Sequence, residues 1–167
     1  SNQSGGLLWS NGKTTQSIVV KSSGTYTATI TNGFGCSATS SATVVSVNAV
    51  PSMPILSFTG ASVLCTGDSV TLQSSATSGN QWLLNGNAIA GATGSTYVVK
   101  VGGRYSVRVT NASNCSTTSI DTQITVNPKP SVPVVTASGP LTFCSTDSVT
   151  LTSNQSGGLL WSNGKTT

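Results

Sequence analysis

Histidine and glutamate are absent from the 167 residues, and aspartate occurs only at Asp68, Asp121 and Asp147. Without histidine, no Ser-His-Asp or Cys-His arrangement can form within the sequence. The chain has no CxxC pair and no DxDxDG run, which removes the usual zinc and calcium signatures. Charged residues make up 6% of the chain, so its net charge of +4 describes a sparse field rather than a basic patch. Arg104 and Arg108 share one strand face but lack the clustered aromatics of a nucleic-acid reader. No apolar run is long enough to cross a bilayer. These absences lead to the expectation of a non-enzymatic segment with no cofactor, no bound metal, no nucleic-acid partner and no direct membrane insertion.

What the chain has instead is repetition. Ser1–Thr15 (SNQSGGLLWSNGKTT) returns without a substitution as Ser153–Thr167, an offset of 153 − 1 = 152. Self-similarity of this kind sets the architecture, and the chain reads most simply as one repeat plus a short overlap, cut from a longer array. A weaker repeat lies inside the first. The path from Leu64 (LCTGDSVTLQSS, then QWLLNG, TYVVK and GRYSVRVTNASNCSTTS) is echoed by FCSTDSVTLTSN from Phe143. Through the overlap it continues as LLWSNGKTTQSIVVKSSGTYTATITNGFGCSATS from Leu7. The landmarks keep step. Cys65 to Trp82 has the same spacing as Cys144 to Trp161 (82 − 65 = 161 − 144 = 17). Tyr105 to Cys115 likewise matches Tyr26 to Cys36 (115 − 105 = 36 − 26 = 10).

Proline-rich joints at 51–54 and 128–133 divide the chain into the C-terminal part of one module (1–49), a complete module (50–128) and the N-terminal part of the next (129–167). Only the central module is expected to close its own core; the flanking parts need strands from beyond the ends or from a neighbouring chain. Asp68 and Asp147 hold the same position in successive modules. They should therefore stand a domain apart, too far for the paired carboxylates of a glycosidase.

Strand signals dominate. Ser69–Leu72, Thr25–Thr31 and Arg104–Val109 alternate polar and apolar residues, the period of a strand with one buried face. Asn-Gly pairs at 11–12, 32–33, 85–86 and 163–164 mark turns. About seven short strands per module predict an all-β fold of tandem antiparallel β-sandwiches. Trp82 is placed on the third strand, where immunoglobulin-like sandwiches bury a tryptophan. Tyr105 opens the sixth, in the manner of a tyrosine corner. Trp9, Trp82, Trp161, Tyr26 and Tyr105 are read as core, with Phe34 the one aromatic placed in a turn.

Four cysteines allow three pairings. The internal homology selects Cys65 with Cys115, and Cys144 with the next repeat's copy of Cys36, which leaves Cys36 and Cys144 with partners in adjacent repeats. Each module is thus expected to hold one intradomain disulfide. A bridge closing a loop of about 50 residues stabilises a domain by roughly 3–4 kcal/mol and implies a compartment outside the reducing cytosol.

The pattern LC-x-GDSVTL, W-x-x-NG, G-x-Y-x-V-x-VTN and NCS-x-TS resembles the immunoglobulin-like repeats of Bacteroidota surface proteins. Such modules occur in giant cell-surface adhesins exported by type IX secretion, including the gliding-motility adhesin, and as spacers in secreted enzymes. The resemblance implies an extracellular, cell-surface filament for attachment and gliding motility. Its partners would be neighbouring repeats, the secretion and gliding machinery and, through other parts of the parent protein, a surface or polysaccharide. The alternatives are a spacer in a secreted polysaccharide-degrading enzyme and a polysaccharide-binding module. In that phylum Asp-Ser/Thr followed by a small apolar residue is an O-glycosylation signal. That makes Ser69 and Ser148 candidate sites.

Overall fold

The structure, a computed structural model, describes residues 6–166. These residues form an all-β arrangement with no helix among them. The strands before the first proline joint are β1 (Leu7–Trp9), β2 (Gly24–Tyr26), β3 (Ala28–Thr31), β4 (Ser37–Thr39) and β5 (Thr43–Val45). The central region carries β6 (Leu56–Phe58), β7 (Val63–Cys65), β8 (Val70–Ser74), β9 (Asn80–Leu84), β10 (Asn87–Ala88), β11 (Thr96–Val99), β12 (Gly103–Thr110), β13 (Ser116–Thr118) and β14 (Thr122–Asn127). After the second joint come β15 (Val135–Ala137) and β16 (Leu151–Ser153).

Two sheets build the central region. One has the order β11-β8-β6; the other runs β10-β9-β12-β14-β7, with β13 also paired to β12. All pairs are antiparallel except β7 with β14. The first strand of the region is divided between the sheets. β6 pairs with β8, the chain turns at Gly60 (φ 113°), and β7 then joins the opposite sheet beside β14.

Alternation creates the core. On β8, Val70, Leu72 and Ser74 point inward while Thr71 and Gln73 face out. Val70 and Leu72 meet Trp82, Tyr105, Val107 and Ile124 of the other sheet, with Leu64 and Val99 completing the cluster. Buried side chains from both sheets thus share one core, a layering consistent with a β-sandwich. Asn85 and Gly86 have φ of 51° and 81°, the double positive φ of a two-residue hairpin between β9 and β10.

Outside the central region the same pattern is less covered. Ile30 occupies the position equivalent to Val109, yet it is 61% exposed against 8% for Val109. Some local devices nonetheless recur. The Ser119 hydroxyl accepts from Val107 N (3.0 Å), where β12 passes from β14 to β13. The Ser40 hydroxyl accepts from Ala28 N (3.1 Å) at the matching place.

One core position is imperfect. Asn80 is buried on the inner face of β9; its Nδ2 donates to Ala76 O (3.0 Å), while Oδ1 has no partner. The equivalent residue in the following copy is Leu159. Asn80→Leu is therefore expected to raise stability by about 1 kcal/mol, because an unpaired buried acceptor costs more than the lost amide bond returns. A urea midpoint at or below that of the parent chain would contradict this.

Candidate functional site

Candidate residues gather at the two poles of the central region, where the proline joints attach. At the first pole the loop between β12 and β13 is shaped by Asn111. Its Oδ1 accepts from Ser113 N and Cys115 N, both at 3.0 Å, and Asn114 adopts φ 59°. Asn111 Nδ2 reaches out of the loop and donates to Ala49 O (2.8 Å). The Cys115 thiol lies 3.8 Å from Asn48 O. The preceding joint therefore docks on this pole, and Ile55 N donates to the Ser75 hydroxyl (2.9 Å) as the chain passes into β6.

At the second pole, β7 ends at Cys65, which pairs in register with Asn127 at the end of β14. Thr66 N and its hydroxyl both donate to Asn127 O (2.8 and 3.1 Å). Asp68 closes the turn: its amide donates to Cys65 O (2.9 Å), and its Oδ2 accepts from Cys65 N (3.2 Å). Lys129, in the second joint, approaches Asp68 at 3.4 Å, but both side chains are about half exposed and such a pair contributes little. Asp147 N donates to Cys144 O (2.9 Å), the same turn in the following copy.

The cysteines depart from the sequence expectation. Cys36, Cys65, Cys115 and Cys144 are all free, and Cys65 and Cys115 sit at opposite poles. Gly103 of β12 pairs with Ile124 of β14. From that line Cys115 lies beyond Thr110 in one direction, and Cys65, level with Asn127, lies in the other. Eight residues along β12 from Gly103 to Asn111, and three along β14 from Ile124 to Asn127, separate the poles by roughly 35 Å. A disulfide requires Cα atoms within about 7 Å, so a Cys65–Cys115 bridge cannot close inside this fold. Internal homology identifies equivalent cysteines, but equivalence does not measure distance. The role of Asn111 is a feature that the sequence reading misses. Its signal is present: an asparagine four residues before the cysteine in both copies, Asn32 and Asn111. Asn32 Oδ1 indeed accepts from Phe34 N and Cys36 N, both at 3.0 Å.

The aromatic residues divide by position. Trp82 and Tyr105 are buried, while Trp9, Trp161 and Tyr26 are half-buried. Trp82 Nε1 donates to Gly94 O (2.9 Å), and its ring stacks on Tyr97 with centroids 5.9 Å apart. The Tyr105 hydroxyl donates to Val101 O (2.9 Å), four residues upstream, and Tyr26 does the same to Ser22 O (3.0 Å). Burial pushes the Tyr105 phenol above its ordinary value, and neighbouring Tyr97 adds to the shift. The neutral phenol is then the form the fold favours. Its contribution is fully present below about pH 10 and is lost as pH rises through the raised value. Tyr105→Phe should flatten the alkaline limb of the stability curve and cost about 1 kcal/mol at neutral pH, read from urea midpoints at neutral and alkaline pH.

Phe34 is 93% exposed in its turn. A concavity of about 310 Å³ opens beside Trp161, lined also by Val149, Leu151, Asn163, Lys165 and Thr166. Val149, Leu151 and Trp161 are the equivalents of core residues Val70, Leu72 and Trp82, so the hollow has the chemistry of an uncovered core. No cluster of three metal-ligating side chains exists among the described residues, and no helix there is long and apolar enough to cross a membrane. Ser69 and Ser148 are both exposed. No family model matches the chain, and no curated protein matches it.

Proposed function

We infer that the chain is a repeat of an extracellular adhesive stalk, built from immunoglobulin-like modules strung end to end on proline joints. One observation carries this reading: the chain reaches the central region at one pole, through residues 48–55, and leaves from the other, through Asn127 and Lys129. A module with its ends at opposite poles adds its full length to a rod, and proline stiffens the joints. The division of the first strand between sheets, the parallel β7–β14 pair and the corner hydrogen bonds of Tyr105 and Tyr26 support the immunoglobulin-like assignment. With little charge and abundant serine and threonine, the surface suits a filament outside the cell, and the family resemblance makes surface attachment and gliding motility its role. Neighbouring repeats are the direct partners; the adhesive contact belongs to other parts of the parent protein.

The size of the native parent polypeptide tests this, on a denaturing agarose gel probed with an antibody to residues 50–128. A band of several hundred kilodaltons supports the stalk. A band with room for only a few repeats would favour a spacer in a secreted polysaccharide-degrading enzyme. The exposed Ser69 and Ser148 are the candidate glycosylation sites of this reading; peptide masses from the native host showing both unmodified would remove that element.

A further inference from the structure

Resting on the tandem-repeat reading, we propose that the disulfides of the array cross the joints rather than close within modules. Cys65 bonds to the next unit's copy of Cys36, and Cys144 bonds to the following unit's copy of Cys115. Three observations combine. The two cysteines of the central region occupy opposite poles, each beside a joint. Cys36 is the equivalent of Cys115, and Cys144 is the equivalent of Cys65, so every module carries one cysteine of each kind. Stacked end to end, unlike poles meet, and a cysteine of the second kind always faces one of the first.

The first joint shows how close they come. Asn48 is the equivalent of Asn127 (TVVSVN at 43–48 against TQITVN at 122–127), and Asn127 has Cys65 as its ladder partner. In the preceding module the matching cysteine, a copy of Cys144, falls beside Asn48, one strand spacing of about 4.8 Å away. The carbonyl of Asn48 is the group that the Cys115 thiol touches at 3.8 Å. Asn111, bonded both to that loop and to Ala49, holds the loop against the joint. In this arrangement each cysteine's partner lies in another copy, and all four are free within the chain itself.

Bond formation proceeds by thiol–disulfide exchange with an oxidised disulfide donor, such as a dithiol oxidoreductase of the export compartment. The thiolate of one cysteine attacks the donor to give a mixed disulfide. The facing thiolate displaces the donor, which leaves as a dithiol carrying the two electrons and, by exchange through solvent, the two protons that the cysteines gave up.

The consequence is mechanical. Cys36 to Cys65 and Cys115 to Cys144 have equal spacing (65 − 36 = 144 − 115 = 29). Joined through crossing bonds, these segments form two continuous covalent tracks along the array. Each track contains only one such short segment per repeat unit, whereas the unbridged backbone contains the whole period. At about 3.5 Å per residue a unit can then extend to roughly 100 Å, against roughly 500 Å once reduced, a fivefold difference. Bonds within modules would leave twice the length of one short segment free in each unit, or roughly 200 Å.

The test uses the native parent, its thiols alkylated before digestion. Cyanogen bromide at the single Met53, trypsin and cleavage before aspartate place Cys36 in 22–53, Cys65 in 54–67, Cys115 in 109–120 and Cys144 in 121–146. The expected linked pairs are 54–67 with 22–53 and 121–146 with 109–120, both lost on reduction. A 54–67 to 109–120 link, or four alkylated cysteines in the exported protein, overturns the proposal. Stretching single parent molecules gives a second readout: a limiting extension per unit twice that of the crossed arrangement would overturn it as well. The gel that sizes the parent is a separate measurement, so a long array with bonds inside its modules would sink this inference and leave the stalk standing.

Discussion

Trp82→Ala is expected to destabilise the central sandwich by about 3–5 kcal/mol, the usual cost of emptying a large aromatic site in a core. Trp82 is fully buried, touches both sheets through the shared core, stacks on Tyr97 and holds Gly94 O. Truncation removes that apolar area, opens a cavity and strands the Gly94 carbonyl. At roughly 0.05–0.15 kcal/mol per residue, a region of about 75 residues yields only about 4–11 kcal/mol in total, so the variant sits at the edge of folding. Trp82→Phe keeps most of the ring and gives up the N–H bond; a loss of about 1 kcal/mol is expected. The internal copy provides a comparison within the same molecule. Trp9 makes an analogous bond to Thr15 O (2.8 Å) but is half-buried, and Trp9→Ala should cost well under half as much. Urea denaturation followed by circular dichroism measures all three. Equal losses at Trp82 and Trp9 would show that the central core is not the stabilising centre.

The strand alternation and the inward pair Val70 and Leu72 are legible in the sequence because they rest on local periodicity; the repeat is legible as long-range self-similarity, and Trp82 and Tyr105 through their places in the sandwich pattern. The Asn-Gly turns are legible as turns, though only Asn85-Gly86 has the double positive φ; at Asn32-Gly33 the positive φ falls on Gly35. A strand count from the sequence runs one short after the first strand. Its division into β6 and β7 depends on a change of sheet at Gly60 that no period announces. Trp82 consequently lies on the fourth strand of the central region, and Cys65 is the last residue of β7, five positions before β8 opens at Val70.

The expected cysteine pairing fails on parity. Cys65 precedes β8 and Cys115 follows β12; between them the chain runs along β8, back on β9, forward past β10, back on β11 and forward on β12. Five passes, an odd number, put the two residues at opposite ends. Sequence separation and homology carry no such information unless the passes are counted.

Gly79→Ala should be the most damaging single methyl group in the chain. Gly79 stands at the pole where β9 begins, with φ 72°, and its carbonyl accepts from Thr110 N (3.0 Å) as β9 and β12 close their ladder. A Cβ there would lie 2.3 Å from Thr110 O, a backbone atom that cannot swing aside as a side chain can. Either the turn or the end of β12 must shift. The left-handed backbone alone costs roughly 1 kcal/mol for a residue with a Cβ, and forcing the contact brings the total to about 3 kcal/mol. Gly158 tests the division into these two parts. It is the equivalent position in the following copy, with φ 68°, and a Cβ there meets nothing within 4 Å. Gly158→Ala should therefore show the conformational cost without the collision. The displacement at Gly79 would also move Asn111, next in sequence to Thr110, and with it the loop that holds Cys115 against Asn48. Gly79→Ala should consequently lower the urea midpoint and speed alkylation of Cys115 several-fold in native buffer, while leaving Cys144 unchanged. A midpoint loss no greater than that of Gly158→Ala would mean that the pole is soft enough to absorb a methyl group. Asn111 would then not be the rigid anchor that its three hydrogen bonds describe.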